Sequence, residues 1–210
     1  MRLLATLCLL LGLSQLGCAG WIHAKAVLAQ LLIAHAWTRP APARPWPWAD
    51  TWPVARLQAP TRDVDLYVLA GATGNALAFG PGHHLESAAP GAPGVVVIAG
   101  HRDTHFAFLE HVVVGETLRL IDADGNVRAY RVTGTRVADT RQGPLRAAGE
   151  GLLLVTCYPF DALRTGGPLR YLVMATPEVP GDTLAGSGSG SASGTGPVSG
   201  RVAAATIRPN

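Results

Sequence analysis

The chain opens on a long apolar block. From Leu3 to Ile22 no residue is charged, and Arg2 stands directly in front of the run. As a helix such a run rises about 30 Å, the thickness of a bilayer's hydrocarbon core. It reads as a retained transmembrane anchor, with Ser14, Gln15 and the glycines weighing against it. It also reads as a cleaved signal, because Gly17-Cys18-Ala19 offers the small residues a signal peptidase requires. A lipoprotein site at Cys18 would want an apolar residue where Gln15 stands. All three readings export the rest of the chain. The expected location is the inner (cytoplasmic) membrane, single-pass, with the folded part on the periplasmic side. Residues 21–37, rich in Ala and Leu, continue this helix or lie on the membrane. Residues 39–53 then carry five prolines together with Trp46, Trp48 and Trp52. Proline at that density excludes helix and central strand, so this segment is extended, its tryptophans packed on the domain or set at a lipid interface.

Beyond it the pattern changes. Short β-type runs recur at 54–58, 64–70, 95–101, 117–121, 127–132, 152–158 and 169–175. Thr117–Leu120 and Val127–Val132 alternate apolar and polar, and Asp124-Gly125 between them signals a hairpin turn. VVVIAG and LLLVT are instead continuously apolar. The one helix-like spacing runs over 103–112, where Asp103 or Thr104 can cap a turn carrying Phe106, Leu109 and Val113. Many short strands and almost no helix predict an all-β domain, an antiparallel barrel or sandwich. From residue 177 a Gly/Ser tract follows that cannot bury surface and is expected to be a disordered tail. The chain thus divides into an anchor or signal (1–22), a juxtamembrane helix and Pro/Trp linker (23–53), a folded domain (54–176) and a tail (177–210).

Composition narrows the functions. Apolar residues make up 48% and charged residues 15%, enough for a real core. The formal net charge is +3 and the arginines are scattered, whereas nucleic-acid binding needs a concentrated basic face, so no nucleic-acid partner is expected. Of three cysteines, Cys8 and Cys18 fall in the export segment, which rules out a disulfide framework and a Cys-rich zinc module.

The candidate chemistry sits where strands end. VVVIAG runs into His101, LLLVT runs into Cys157, and Arg170 places one guanidinium in an otherwise apolar strand. A thiol near its ordinary pKa is only a few per cent thiolate at neutral pH, so an imidazole must move its proton, and a permanently charged arginine can hold an oxyanion. Gly100 removes a side chain beside His101 and leaves room for a substrate backbone. Each of the three residues also has a plain structural role open to it: small buried hydrophobe, strand-end polar group, edge charge. Around them, Thr156 can orient the Cys strand, Asp103 and Asp161 can steer His101 or form turns, and Arg102 and Arg164 are alternative cations. His105 shares a face with His101 if that segment is helical. His105, His83, His84 and His111 invite a zinc site, but no H-E-x-x-H or paired-cysteine pattern accompanies them, so neither metal nor cofactor is expected. His83-His84, in a Gly/Pro-rich loop, is expected to be exposed.

The T-C pair closing the apolar strand in LLLVTCYPFD, the upstream I-A-G-H-R and an Arg thirteen positions after the Cys resemble the sortase family of cysteine transpeptidases over about residues 54–176. With the N-terminal anchor, the Trp/Pro-rich approach and GHRDTHFAFLEHVVVGETLRL, the chain resembles the sortases of Gram-negative bacteria (class GN, the marine proteobacterial type). The resemblance implies an eight-stranded sortase-like barrel with short helices, a catalytic Cys157, a proton-carrying His101 and an oxyanion-binding Arg170. It implies as substrate a secreted protein with a C-terminal sorting motif, cleaved between Thr and Gly or a similar pair through a thioacyl-enzyme, and as acceptor an amine of the cell envelope. One departure is Leu153, where the family's motif has Thr four residues before the Cys; it leaves subclass and sorting motif open. Two other readings stand beside this one: an exported hydrolase using Cys157 and His101 (or metal-binding histidines), and a non-catalytic barrel that binds peptide or envelope glycan.

Overall fold

The computed structural model describes residues 2–40, 42–162, 166–178 and 205–207. Its strands are β1 (Pro53–Ala59), β2 (Val64–Ala70), β3 (Gly82–His83), β4 (Val95–Ala99), β5 (Thr117–Asp122), β6 (Val127–Asp139), β7 (Leu145–Ala147), β8 (Gly151–Cys157), β9 (Leu169–Pro177) and β10 (Ala205–Ile207). Eight of them close a barrel in the order β1-β2-β3-β4-β8-β9-β6-β5, and β10 pairs with β7 apart from it. This is an all-β barrel, one of the two architectures the strand pattern allows, with the eight strands that the family resemblance implies.

Strand by strand the pattern has a visible cause. In β1, Ala55, Leu57 and Ala59 face inward and are fully buried, while Arg56 and Gln58 look outward. At the β5–β6 hairpin the Asp122 carboxylate accepts from the Asp124 and Asn126 backbone N–H groups at 3.0 and 2.9 Å. Gly125 supplies the left-handed φ of 84° that this turn requires. The closure departs from an all-antiparallel barrel at two junctions, β2–β3 and β4–β8, which are parallel. Parallel pairs are covered on both faces, which is why β4 and β8 read as unbroken apolar runs. Val96, Ile98, Leu152 and Leu154 fill the barrel interior. Val95, Val97, Leu153 and Val155 form a second cluster outside it with Leu145 and Leu172. Leu153 belongs there, 5% exposed, so the departure at that position is accommodated as packing.

Several elements differ from expectation. The segment 103–112 is not a capped α-helix but a 3-10 turn over Ala107–His111, without a side-chain cap; its Phe106 and Leu109 are fully buried and plug the interior. β6 runs through Asp139 rather than ending at Val132, because a bulge between Val132 and Gly134 lets it leave β5 and continue along β9. Helix α1 (Arg2–Trp37) continues through the predicted juxtamembrane helix, and a short helix α2 (Gly74–Phe79) follows β2. Ile33 of α1 packs with Leu69, Ala76 and Trp46, and Gln30 Nε2 donates to the Phe79 carbonyl at 2.7 Å. Trp46 meets Phe79 edge-on at 5.0 Å, whereas Trp48 is 82% exposed. The side chains of most residues in 1–22 lie outside the described part. Among the described residues no helix is long and apolar enough to cross a membrane. The expected disordered tail lies mostly outside the described residues as well; three of its residues form β10.

Candidate active site

Strand register delivers the three candidate groups to one end of the barrel. Cys157 closes β8 and pairs directly with Arg170, the second residue of β9. Ala99 pairs with Val155 across the parallel β4–β8 junction, so His101, two residues past Ala99, comes out level with Cys157. That alignment continues past the end of β4. The Gly100 N–H donates to the Val155 carbonyl at 3.1 Å, and the buried Thr156 hydroxyl donates to the Gly100 carbonyl at 2.7 Å. Cys157, His101 and Arg170 all line a single groove of about 210 Å³. Cys157 is a free thiol, half-buried, and His101 is exposed at the groove. Arg170 Nη1 donates to the carbonyls of Gly167 at 2.6 Å and Leu169 at 3.0 Å, which holds the guanidinium at the start of β9 and the segment just before it.

The walls of the groove are largely apolar, with Ala72, Leu77, Leu145 and Val155 among them. A half-buried thiol that shares such a groove with an imidazole and a cation can attack a carbonyl and have the resulting charge stabilised.

The surrounding residues fall into place differently from the sequence reading. Thr156 is buried, and its hydroxyl binds the Gly100 backbone, so its contact is with the strand carrying His101. Asp103 does not turn to His101; it pairs with Arg102 Nε at 3.0 Å. His105 lies outside the groove, lining a separate hollow with Asp63, Asp65 and Phe108. Burial holds its pKa below the ordinary imidazole value, and the charge of nearby His101 lowers it further. Gly100 leaves no space for a substrate: an added Cβ would sit 2.8 Å from the Phe106 ring, so glycine is needed there by the core. His83 is not exposed but 4% accessible, its Nε2 donating to the Ala88 carbonyl at 2.9 Å. Burial also pushes its pKa down. Among the described residues no cluster of His, Cys, Asp and Glu could hold a metal ion. Arg164 lies outside the described residues.

Two residues take a place other than the one the sequence suggests, Arg102 as an alternative cation and His84 as an exposed loop histidine. Arg102 is 5% exposed and donates to the carbonyls of Pro159 and Ala162, both at 2.6 Å, holding the loop that comes after Cys157. His84 lines the groove itself. A buried arginine beside a strand-end histidine carries no periodic signal; only its adjacency to His101 could have pointed to it.

The sortase domain family matches residues 57–178. Sortase D of Bacillus subtilis (strain 168) is 32% identical over 120 residues, 56% of this chain and 60% of that protein. The chain therefore spans less than two thirds of that relative's length. Among solved structures, sortase A from Corynebacterium diphtheriae is similar at 27% identity with a TM-score of 0.51, over 64% of this chain and 66% of that one. A sortase D5 transpeptidase of Clostridium perfringens shares the fold at 18% identity and a TM-score of 0.54, over 73% of this chain and 99% of that one.

Proposed function

The chain belongs to the sortase family, and from that premise we propose that it is a membrane-tethered cysteine transpeptidase acting on a secreted protein. The observation that carries the reading is the register: Cys157 directly opposite Arg170, with His101 level beside them on one groove.

In the proposed reaction the Cys157 thiolate attacks the carbonyl before the scissile bond of a C-terminal sorting motif. The oxyanion of the tetrahedral intermediate faces the Arg170 guanidinium, whose charge persists at any working pH. His101 gives its proton to the departing amine as the C–N bond breaks, leaving an acyl group on Sγ. An amine of the cell envelope then attacks the thioester. Its C–N bond forms, the C–S bond breaks, and the amine's proton passes to His101. The sum is exchange of one amide for another, with no cofactor.

Membrane attachment rests on the uncharged run Leu3–Ile22. It is supported by the outward face of α1, where Trp21, Val27, Leu28 and Leu31 are exposed and Lys25 lies over the Trp21 ring. The inner-membrane location with the barrel on the periplasmic side is inferred from the same run. The Gram-negative type rests on GHRDTHFAFLEHVVVGETLRL and on the Trp/Pro-rich approach.

The test supplies a peptide containing a Thr-Gly pair with and without hydroxylamine and tracks products by mass. A transpeptidase diverts the acyl half to the hydroxamate and loses all turnover as Cys157→Ala. A hydrolase releases acid at the same rate whether or not amine is present. A metal enzyme stops with a chelator rather than a thiol reagent, and a binding barrel holds the peptide uncut. Any of these last three results overturns the proposal.

A further inference from the structure

The Nδ1 atom of His84 is buried and has no hydrogen-bond partner. Its backbone is fully engaged: the N–H donates to the Val97 carbonyl at 2.9 Å, and its own carbonyl accepts from Ser87 N at 2.8 Å and Ser87 Oγ at 2.7 Å. Nδ1 is the one buried side-chain nitrogen or oxygen without a partner among the described residues, and His84 lines the groove that holds Cys157. Leaving such an atom unpaired is costly, so native structures pair it unless a ligand does so. Neighbouring His83 shows the contrast, with its Nε2 bonded to Ala88 and Ser87.

We propose that His84 Nδ1 is a hydrogen-bonding subsite for the sorting peptide, and so a specificity-determining residue of the groove. The proposal rests on the transpeptidase reading and names a feature of its substrate. Of the other walls, Ala72, Leu77, Ala99, Leu145 and Val155 are apolar, and the hydroxyls of Thr140 and Thr156 are already donated to the Pro168 and Gly100 carbonyls, which leaves Thr73 as a further polar side chain. A peptide lying there places a hydrogen-bonding group, a side-chain hydroxyl or carboxamide or a main-chain amide, against the imidazole in a largely apolar groove. A neutral imidazole presents either a lone pair or an N–H at Nδ1, so both donors and acceptors of the peptide qualify.

The probe is an internally quenched peptide pool with a fixed Thr-Gly pair and the preceding positions varied, tested on the full chain as wild type, His84→Phe and His84→Asn. Phenylalanine keeps the ring volume without nitrogens; asparagine puts an amide near the place of Nδ1. Binding to Cys157→Ala chains carrying the same substitutions is read by anisotropy in parallel. The expected result is a rise of about tenfold in KM for His84→Phe with kcat little changed, and recovery in His84→Asn. A rise confined to peptides with a hydroxyl or carboxamide at one position identifies a side-chain partner; a uniform rise identifies the main chain. Equal KM and an unchanged preference profile in His84→Phe overturn the subsite. If the Cys157→Ala chain binds the pool with this His84 dependence but the wild type cleaves nothing, the reaction fails and the subsite stands. If nothing binds, both fail.

Discussion

Thr156 tests how the site is held together. Its side chain is 2% exposed, and its hydroxyl donates to the buried Gly100 carbonyl at 2.7 Å, one residue before His101. Thr156→Val keeps the volume but strips the donor, leaving that carbonyl short of a partner away from water. The cost is about 1–3 kcal/mol, the range for a buried group left unpaired. On a domain of this size that lowers Tm by about 4–10 °C. Thr156→Ser keeps the hydroxyl and loses one methyl, about 0.8 kcal/mol. Urea denaturation of both variants ranks the two contributions, and Val must be the worse if the hydrogen bond dominates. Because the bond ties the His101 backbone to β8, Val should also lower kcat/KM by about 10- to 100-fold, as small misplacements of a catalytic group do. If Val folds within about 0.5 kcal/mol of wild type while Ser is clearly weaker, Thr156 acts by packing alone and the positioning role fails.

Three further outcomes rest on contacts of the same kind. Arg102→Met removes both donors from the Pro159 and Ala162 carbonyls; a loss of about 2–4 kcal/mol in urea is expected, with faster proteolysis at residues 158–162, and a loss under about 1 kcal/mol would contradict the loop-holding role. Gly100→Ala drives a Cβ to 2.8 Å from the Phe106 ring and should cost about 1–3 kcal/mol, partly restored by Phe106→Leu in the double variant; additivity of the two would refute the clash. Burial holds the pKa of His83 below the ordinary 6.5. The unfolded chain therefore takes up the proton first, and the stability His83 contributes is present above that value and lost as pH falls below it. His105 works in the same direction. Melting curves from about pH 7.5 to 5 should show the decline, shallower in His83→Gln; an identical slope would remove His83 as a contributor.

The barrel was legible because its outward-facing strands alternate and its hairpin carries Asp124-Gly125. The two parallel junctions were not, since a run such as VVVIA says that both faces are covered without saying by what. Gly134 ended the visible alternation of β6, and only the bulge and the change of partner explain why the strand continues. β3 and β7 are too short for any period to show. At the site, strand ends pointed to His101 and Cys157, and register brings Arg170 opposite the thiol. What alternation could not convey is how side chains partition around a loop. Asp103 goes to Arg102 rather than to the imidazole, Phe106 claims the space above Gly100, and of the adjacent pair His83 is buried and bonded while His84 faces the groove.

The proposed reaction stands on covalent capture by Cys157. Intact-mass measurement of the chain mixed with a Thr-Gly sorting peptide, quenched within seconds, reads it directly. The predicted result is an adduct equal to the acyl half of the peptide, mapped to Cys157, discharged by hydroxylamine and missing in Cys157→Ala. Peptide cleaved at an undiminished rate by Cys157→Ala, or by a wild-type chain that never gains the acyl mass, would contradict it.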